Sequence, residues 1–174
     1  TEFYVRCYAT IGDGGEGSFW FDNTSAATAV PGMVIAPASG TGRFFRKYNG
    51  EVNVKWFGAK GDYITDDTAA IQAAITFAED PTYGAQYYTT TFSENAAISV
   101  YIPAGSYTTS STLTFTACEI YGKAGGDQSF FNQTVIHCKH GGHCFTWLSD
   151  PTNLRVGSIH DICGLGYSET YQQN

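Results

Sequence analysis

Residues 137–144 carry the densest group of possible metal ligands in the sequence. They read His-Cys-Lys-His-Gly-Gly-His-Cys, so five donors of the types that zinc prefers fall within eight residues. Structural zinc sites usually draw two close ligand pairs from separated segments, whereas this segment predicts a strand, a Gly-Gly turn and a second strand. We expect no metal site. The alternative that the spacing disfavours is a zinc site held by His137, Cys138, His143 and Cys144.

The cysteine count predicts free thiols. The chain has five cysteines, and Cys7, Cys118 and Cys163 are distant in sequence from Cys138 and Cys144. An odd count excludes a complete disulfide framework, and a buried cysteine behaves as a small apolar side chain. We therefore expect reduced, buried thiols, as in a protein made in a reducing cytoplasm.

Asp62, Asp66 and Asp67 have the side chains that glycoside cleavage uses. Glycosidases place two carboxyl groups about 5–9 Å apart as acid and base or nucleophile. Asp66 and Asp67, however, stand at the predicted start of a helix, where carboxylates accept backbone hydrogen bonds and match the helix dipole. We expect structural capping from these aspartates and no catalytic residue in this chain.

Residues 12–17, Gly-Asp-Gly-Gly-Glu-Gly, match the G-x-G-x-x-G pattern letter for letter. In dinucleotide-binding proteins this loop directs a helix N-terminus at a pyrophosphate. Here the aromatic sequence Ser-Phe-Trp-Phe at residues 18–21 predicts a strand instead, and two acids lie within the loop. We expect a tight hairpin connection and no bound cofactor.

The elements that position these groups are organised around residues 52–78. Val52, Val54 and Trp56 alternate with polar residues, which predicts a short strand, and Gly58 and Gly61 break it. The predicted structural capping residues are Gly58, Gly61, Asp66 and Asp67.

A helix is predicted directly after this break. Asp66 is expected to be its N-cap, accepting from the N–H groups of Thr68 and Ala69, with Asp67 in the first turn. The predicted apolar face is flat and made of small residues, which suits packing across a broad surface. It consists of Ala70, Ile71, Ala74, Ile75 and Ala78.

Residues 57–75, FGAKGDYITDDTAAIQAAI, resemble the entry segment of the pectate-lyase-like, right-handed parallel β-helix proteins, many of which are bacteriophage tailspikes. The resemblance implies that the helix closes the N-terminal end of a β-helix. That family usually has glycine at the position of Tyr63, so we expect a locally altered turn there.

The rest of the chain predicts a mostly β protein. Residues 1–50 predict a small β-rich unit, and residues 51–80 the entry strand and capping helix. Within 81–174, short strands are predicted at 97–102, 106–109, 113–116, 119–121, 134–138, 144–148 and 158–162. Residues 100–115 and 119–136 resemble the family's opening coil, so this region is expected to form the first coils of a right-handed parallel β-helix.

Seven strands at about three per coil make two to three coils, which is near the minimum for a stable solenoid. The pattern contains an N-terminal cap but no closing element after residue 164. We expect the leading piece of a longer protein, truncated at its C-terminus. The long loop at residues 82–95 and the open end are the predicted subunit contacts.

Composition excludes two classes of partner. The chain has 9 Lys and Arg against 16 Asp and Glu, and a pI near 4.8, so no basic stripe is available for phosphates. No apolar run approaches the roughly 20 residues of a membrane helix. We expect neither nucleic acid nor membrane as a partner.

The resemblance implies a bacteriophage tailspike or tail-fibre protein, made in the host cytoplasm and located in the virion tail. Its implied partners are the other chains of a homotrimer, phage tail or baseplate proteins, and a bacterial surface polysaccharide. The full-length protein is implied to recognise that polysaccharide and to cleave it as a lyase or hydrolase. Two alternatives stay open: a non-catalytic structural or receptor-binding fibre, and a bacterial secreted glycan lyase or hydrolase, which would have a leader peptide upstream of Thr1.

Overall fold

A computed structural model describes residues 2–84, 98–125, 132–148 and 157–166 of the 174-residue chain. Within these residues, a small antiparallel sheet is followed by one main helix and a stack of parallel strands. The parallel β-helix predicted from the sequence is thereby confirmed.

The antiparallel sheet contains β1 (Glu2–Val5), β2 (Gly17–Asp22), β3 (Val34–Ile35) and β4 (Arg43–Arg46), in the order β1-β2-β4-β3. Arg46 is buried and joins three loops, because its guanidinium donates to the carbonyl oxygens of Gly15, Glu16 and Gly32 at 2.6–2.8 Å. Charge-assisted bonds of this kind are among the stronger hydrogen bonds in proteins.

The connection between β1 and β2 is longer than the predicted tight hairpin. It spans residues 6–16, and the Asp13 carboxylate organises it by accepting the N–H groups of Tyr8, Ala9, Thr10 and Gly15. A strand follows the glycine-rich loop, as the sequence predicted, so the loop directs no helix at a ligand.

The entry strand is shorter than its alternation predicted. β5 (Glu51–Asn53) ends where the Asn53 side chain accepts the N–H of Lys55, and a 3₁₀-helix (Val54–Phe57) begins there. The helical turn buries Val54 and Phe57, so the predicted alternation through Trp56 is wrong. Gly58 ends this turn with a φ of 97°, a left-handed conformation that favours glycine.

β6 (Asp62–Asp66) leads into α1 (Thr68–Glu79) and the one-turn α2 (Pro81–Gly84). Four of the predicted apolar positions of α1, Ile71, Ala74, Ile75 and Ala78, are buried, and Ala70 is half-buried. Phe77 is also buried, although the predicted face omitted it. The predicted loop at 82–95 begins inside α2, and its remainder lies outside the described residues.

Three stacks of parallel strands form the β-helix. The first sheet has the order β5-β7-β10-β13, the second β6-β8-β11-β14, and the third pairs β9 with β12. The strands after α2 are β7 (Ser99–Ile102), β8 (Gly105–Thr109), β9 (Leu113–Phe115), β10 (Glu119–Gly122), β11 (Thr134–Cys138), β12 (Phe145–Trp147), β13 (Ser158–His160) and β14 (Ile162–Gly166). The single strand predicted at 158–162 is divided at Asp161, which has a φ of 58°.

α1 covers the third sheet at its first strand and pairs with it through side chains. The Gln72 amide donates to the Thr114 carbonyl and accepts the Thr114 N–H, both at 2.9 Å. The Glu79 carboxylate accepts the N–H groups of Thr116 and Ala117. These side chains satisfy backbone groups that a neighbouring strand would otherwise pair with, which protects the edge.

Candidate functional site

The outer face of the first sheet carries two rows of chemically active side chains. In β5, β7 and β10 the middle residues Val52, Val100 and Ile120 are fully buried. Because neighbouring residues of a strand face opposite sides, the residues before and after them point outward. The two outward rows are Glu51, Ser99, Glu119 and Ser158, and Asn53, Tyr101, Tyr121 and His160. We call this surface the outer strip.

Aromatic rings stack along one row of the outer strip. The ring centroids of Tyr101 and Tyr121 are 5.1 Å apart, and those of Tyr121 and His160 are 5.5 Å apart with an interplanar angle of 11°. In-register parallel pairing produces this ladder, because it places equivalent positions of successive coils directly beside each other.

Hydrogen bonds connect side chains within and between the two rows. The Tyr121 hydroxyl donates to the Glu51 carboxylate. Ser99 Oγ donates to Glu119 Oε2 at 2.9 Å, and Glu119 Oε1 lies 3.1 Å from His160 Nε2. His160 Nδ1 lies 2.8 Å from a carboxylate oxygen of Asp161, so in its protonated form the imidazole donates to both acids.

These contacts set the charges of the outer strip. Hydrogen bonds from His160 and Ser99 lower the pKa of Glu119, so that carboxylate is ionised at neutral pH. Hydrogen bonds to Asp161 and Glu119 raise the pKa of His160. Burial and the Glu51 carboxylate raise the pKa of Tyr121, which stays a hydroxyl donor. The outer strip therefore offers hydroxyl, imidazole and carboxylate groups to a ligand rich in hydroxyl groups.

Asp62 and the predicted capping residue Asp66 both accept hydrogen bonds at the entry turn. Asp62 accepts the N–H groups of Ile64 and Thr65, and Asp66 accepts the Thr68 N–H and the Ser110 hydroxyl. These bonds lower the pKa of Asp62 and lower that of Asp66 to about 2.

The helix cap differs from the prediction in one position. Asp67, not Asp66, is the N-cap residue of α1, and its side chain makes no bond to the helix. Its buried carboxylate instead accepts the N–H groups of Lys60 and Gly61, at 2.6 and 3.0 Å. Burial outweighs these bonds and raises its pKa. The carboxylate thus fixes the preceding turn.

Gly58 and Gly61 stand where the entry turn leaves no room for a side chain. Gly61 has a φ of 60°, and a Cβ there would lie 2.7 Å from the buried ring of Tyr107. A Cβ on Gly58 would lie 2.9 Å from the ring of Tyr8. Their role in the structure is close packing at the turn, beside the groups that cap α1.

The predicted free thiols at residues 138 and 144 are wrong. Cys138 and Cys144 form a disulfide with a Cα–Cα distance of 5.5 Å, because the Gly-Gly turn between β11 and β12 returns the chain on itself. Cys7, Cys118 and Cys163 are free. The disulfide removes two of the four side chains named for the alternative zinc site. Among the described residues no group of three or more His, Cys, Asp or Glu could hold a metal ion.

Sequence reasoning missed the outer strip. Its signal is a triplet of outward, β-branched and outward residues that recurs as Glu-Val-Asn, Ser-Val-Tyr, Glu-Ile-Tyr and Ser-Ile-His. The intervals between the triplets are unequal, so only the strand register shows that they are neighbours.

Comparison with known proteins gives a family and a fold. Residues 51–137 match the model of the family described as "Rhamnogalacturonase A/epimerase, pectate lyase-like". A protein of Arthroderma benhamiae named "Probable glucan endo-1,3-beta-glucosidase" is 40% identical over 95 residues, which are 52% of this chain and 10% of that protein.

No helix in the described part of the chain is long and apolar enough to cross a membrane.

Two solved structures resemble the chain over most of its length. Tailspike protein 2 of the Escherichia coli O157:H7 bacteriophage CAB120 superimposes with a TM-score of 0.52 at 16% identity, over 94% of this chain and 18% of that one. WceF of Pantoea stewartii, described as a glycan biofilm modifying enzyme with a tailspike-like parallel β-helix fold, gives 0.48 at 20% identity, over 95% and 22%. The chain therefore spans about a tenth to a fifth of these proteins.

Proposed function

The chain belongs to the rhamnogalacturonase A/epimerase, pectate-lyase-like family, and from this premise we propose that it binds a polysaccharide through the outer strip, as part of a tailspike-like protein that also degrades it. More specifically, we propose that the full-length protein is a bacteriophage tailspike. It would form a homotrimer in the virion tail and recognise a polysaccharide of the host surface. The full-length protein carries the degrading activity.

The outer strip is the observation that carries the proposal. Four strands at about 4.8 Å spacing extend it over about 14 Å, which suits an extended ligand. The side chains of Glu119 and His160 are 47% and 46% exposed, so a ligand can reach them. Sugars present many hydroxyl groups, from which a carboxylate accepts hydrogen bonds and to which an imidazole N–H donates.

Binding rather than cleavage fits the charges of the outer strip. A glycosidase general acid needs a raised pKa so that it holds a proton at working pH. The pKa of Glu119 is lowered by its partners, and the Glu51 carboxylate is occupied by the Tyr121 hydroxyl. We therefore place the cleavage chemistry of the full-length protein beyond these coils.

The first test separates binding from degradation. The full-length protein and the 174-residue chain are incubated with capsular and lipopolysaccharide preparations from a panel of bacteria, and with laminarin. Reducing ends and unsaturated uronates are then measured. Binding by both proteins with product from the full-length protein alone is expected. Product from the 174-residue chain would contradict the assignment of cleavage to other coils.

The second test addresses the site. Glu119→Gln and Tyr121→Phe are expected to weaken polysaccharide binding by about tenfold, which corresponds to about 1.4 kcal/mol. Trp147→Ala is the control, because Trp147 is exposed on the third sheet. Unchanged affinity in folded Glu119→Gln and Tyr121→Phe variants would remove the outer strip from the binding surface.

A second candidate is a secreted glycan hydrolase without a virion. The disulfide between Cys138 and Cys144 favours it, because disulfides persist in oxidising compartments, and so does the relative named as a glucanase. Laminarin cleavage by the full-length protein, together with a leader peptide encoded upstream, would favour this candidate. Co-purification with phage tails would favour the tailspike.

A further inference from the structure

A second candidate site lies between the antiparallel sheet and the helices. It is a pocket of about 400 Å³, within the range of natural small-molecule sites. Its lining comes from β2, β3, β4, α1, α2 and the residues next to them: Trp20, Met33, Val34, Phe45, Arg46, Lys47, Tyr48, Phe77 and Tyr83. The outer strip contributes none of these residues.

Two stacked aromatic pairs line this pocket. On the sheet, the rings of Trp20 and Phe45 are 4.7 Å apart at an interplanar angle of 18°. On the helices, the rings of Phe77 and Tyr83 are 4.6 Å apart at 23°. Trp20 remains 41% exposed even though Phe45 supports its ring. An exposed, supported indole presents a flat apolar face to a ligand.

The pocket is preformed. Its apolar base includes Met33 and Val34, which are almost fully buried. The Tyr48 hydroxyl donates to the Tyr83 carbonyl, and the Tyr83 hydroxyl donates to the Thr28 carbonyl, both at 3.4 Å. These bonds connect the helical wall to the sheet side, so binding would order few side chains and lose little entropy.

The charge at the rim selects the ligand chemistry. Lys47 Nζ pairs with a Glu2 carboxylate oxygen at 3.0 Å, and both side chains are about half exposed. The pair supplies a donor and an acceptor but no net charge, and the protein as a whole carries a net charge of −7. Arg46, the other cation of the lining, is buried, and its guanidinium donates to three backbone carbonyl oxygens. An acidic ligand would therefore be repelled by the protein and find at the rim only a cation that is already paired.

We propose that this pocket binds one neutral pyranose unit of a glycan, with the apolar C–H face of the sugar against Trp20 and its hydroxyl groups at the Lys47–Glu2 pair. It is a second glycan contact, separate from the outer strip. The proposal rests on the proposed function only for the choice of a sugar as the ligand class.

The test uses the full chain with laminaritriose as the neutral probe and trigalacturonate as the acidic one. Calorimetry and tryptophan fluorescence are expected to show binding of laminaritriose and at least tenfold weaker binding of trigalacturonate. Failure of the intact protein to bind laminaritriose, or a preference for trigalacturonate, would overturn the proposal.

Variants locate the probe. Trp20→Ala is expected to weaken laminaritriose binding at least tenfold, and Trp20→Phe, which retains a ring against Phe45, about threefold. Trp147→Ala is the matched control, because it removes an exposed indole elsewhere and should leave affinity unchanged. Circular dichroism confirms that each variant is folded. Unchanged affinity in folded Trp20→Phe and Trp20→Ala variants would overturn the assignment of laminaritriose binding to the pocket.

The variants distinguish binding in the pocket from binding at the outer strip. Glu119→Gln alters only the outer strip. It should therefore weaken binding of the polysaccharide and leave laminaritriose binding in the pocket unchanged. If Glu119→Gln abolishes laminaritriose binding and the Trp20 variants do not, the pocket proposal is overturned and the outer strip is supported. If the Trp20 variants alone lose the probe, the pocket stands whatever happens at the outer strip.

Discussion

Tyr63 has a backbone conformation that residues with side chains rarely adopt. Its φ is 67°, and the pairing of β6 with β8 shifts register between Asp62 and Asp66 on either side of it. The Tyr63 ring packs edge-on against His137 with centroids 4.6 Å apart, and Lys139 Nζ lies 4.9 Å from the ring centroid. The ring contacts offset the backbone strain. This explains how tyrosine can stand at a position where the entry segments that this sequence resembles usually have glycine.

Substitution of Tyr63 separates strain from packing. Tyr63→Ala keeps the strained conformation and loses the ring contacts, so we expect it to lower the free energy of unfolding by about 1–2 kcal/mol. Tyr63→Gly loses the same contacts but relieves the strain, so its loss should be smaller by about 1 kcal/mol. Urea denaturation measures both. A glycine variant less stable than the alanine variant would show that backbone strain is not significant at this position.

Asp66 makes stability depend on pH. Its pKa is lowered to about 2 in the folded protein by the hydroxyls of Ser110 and Thr68, from an ordinary value of 3.8. A lowered carboxyl pKa contributes stability that is complete above the unfolded value and is lost as pH falls towards the folded value. We expect Asp66→Asn to reduce the change in melting temperature between about pH 4 and pH 2.

Asp67 contributes a pH dependence of stability that is opposite in sign to that of Asp66. Burial raises its pKa, so its ionisation opposes folding as pH rises above the ordinary value of 3.8. Asp66→Asn should therefore flatten the acid limb of the melting curve, whereas Asp67→Asn should not. An acid limb unchanged by Asp66→Asn would contradict the assigned role of that carboxylate.

At the scale of elements, α1 replaces a strand at the edge of the third sheet. The N–H of Thr114 in β9 donates to the Gln72 side chain, and its carbonyl oxygen accepts from the same side chain. The intrinsic helix preference of α1 and its small apolar face explain the helix, but the position of Gln72 explains how the helix ends a sheet.

Gln72→Ala tests this edge cap. The substitution leaves the N–H and C=O of Thr114 without their partner, so we expect a loss of about 1–3 kcal/mol in the free energy of unfolding. Thr76→Ala is the control, because Thr76 is exposed on the same helix and should change stability by less than about 0.5 kcal/mol. Equal effects of the two substitutions in urea denaturation would remove the capping role.

The disulfide closes the corner between β11 and β12. Its cysteines are six residues apart, and the chain-entropy account gives about 2 kcal/mol for a loop of this size. We expect non-reducing peptide mapping to recover the linked pair, and Cys138→Ser with Cys144→Ser to lower the melting temperature. Cys163→Ser is the control, since that cysteine is free. Full alkylation of Cys138 and Cys144 without reductant would contradict the bond.

At the scale of the whole molecule, stacking makes remote sequence positions into one surface. Glu51 and Tyr121 are 70 residues apart and share a hydrogen bond, because β7 lies between β5 and β10 in the first sheet. Further coils would extend the same outer face. A solenoid thus builds a long binding surface from short, similar units.

Assembly is the prediction that belongs to the whole molecule. The large apolar side chains Ile11, Ile64 and Leu148 are at least half exposed, so they are available for contacts between subunits. We expect light scattering of the purified protein to give three times the 18.8 kDa mass of the chain. A monomer at every concentration tested would contradict the homotrimer of the proposed tailspike.

The local sequence determined the position of α1 and of most strands. Side-chain alternation predicted the bounds of β11 and, to within a few residues, most strands after α1, but it missed β6 and β14. The entry segment predicted α1 and the family. The aspartates at the entry accept backbone hydrogen bonds, and the N-cap residue is Asp67 where the sequence predicted Asp66. These features depend on residues close together in the chain, so they can be read from sequence.

Tertiary structure decided the outer strip, the aromatic pocket and the disulfide. The outer strip depends on the parallel register, and the pocket depends on the packing of the antiparallel sheet against the helices. The disulfide depends on the path of the turn between β11 and β12. Unequal loops between the strands hide that register in the sequence, and the alternation of a strand says which residues point outward but not which neighbours they meet. For that reason, the sequence predicted the scaffold, and the folded chain determined its surfaces.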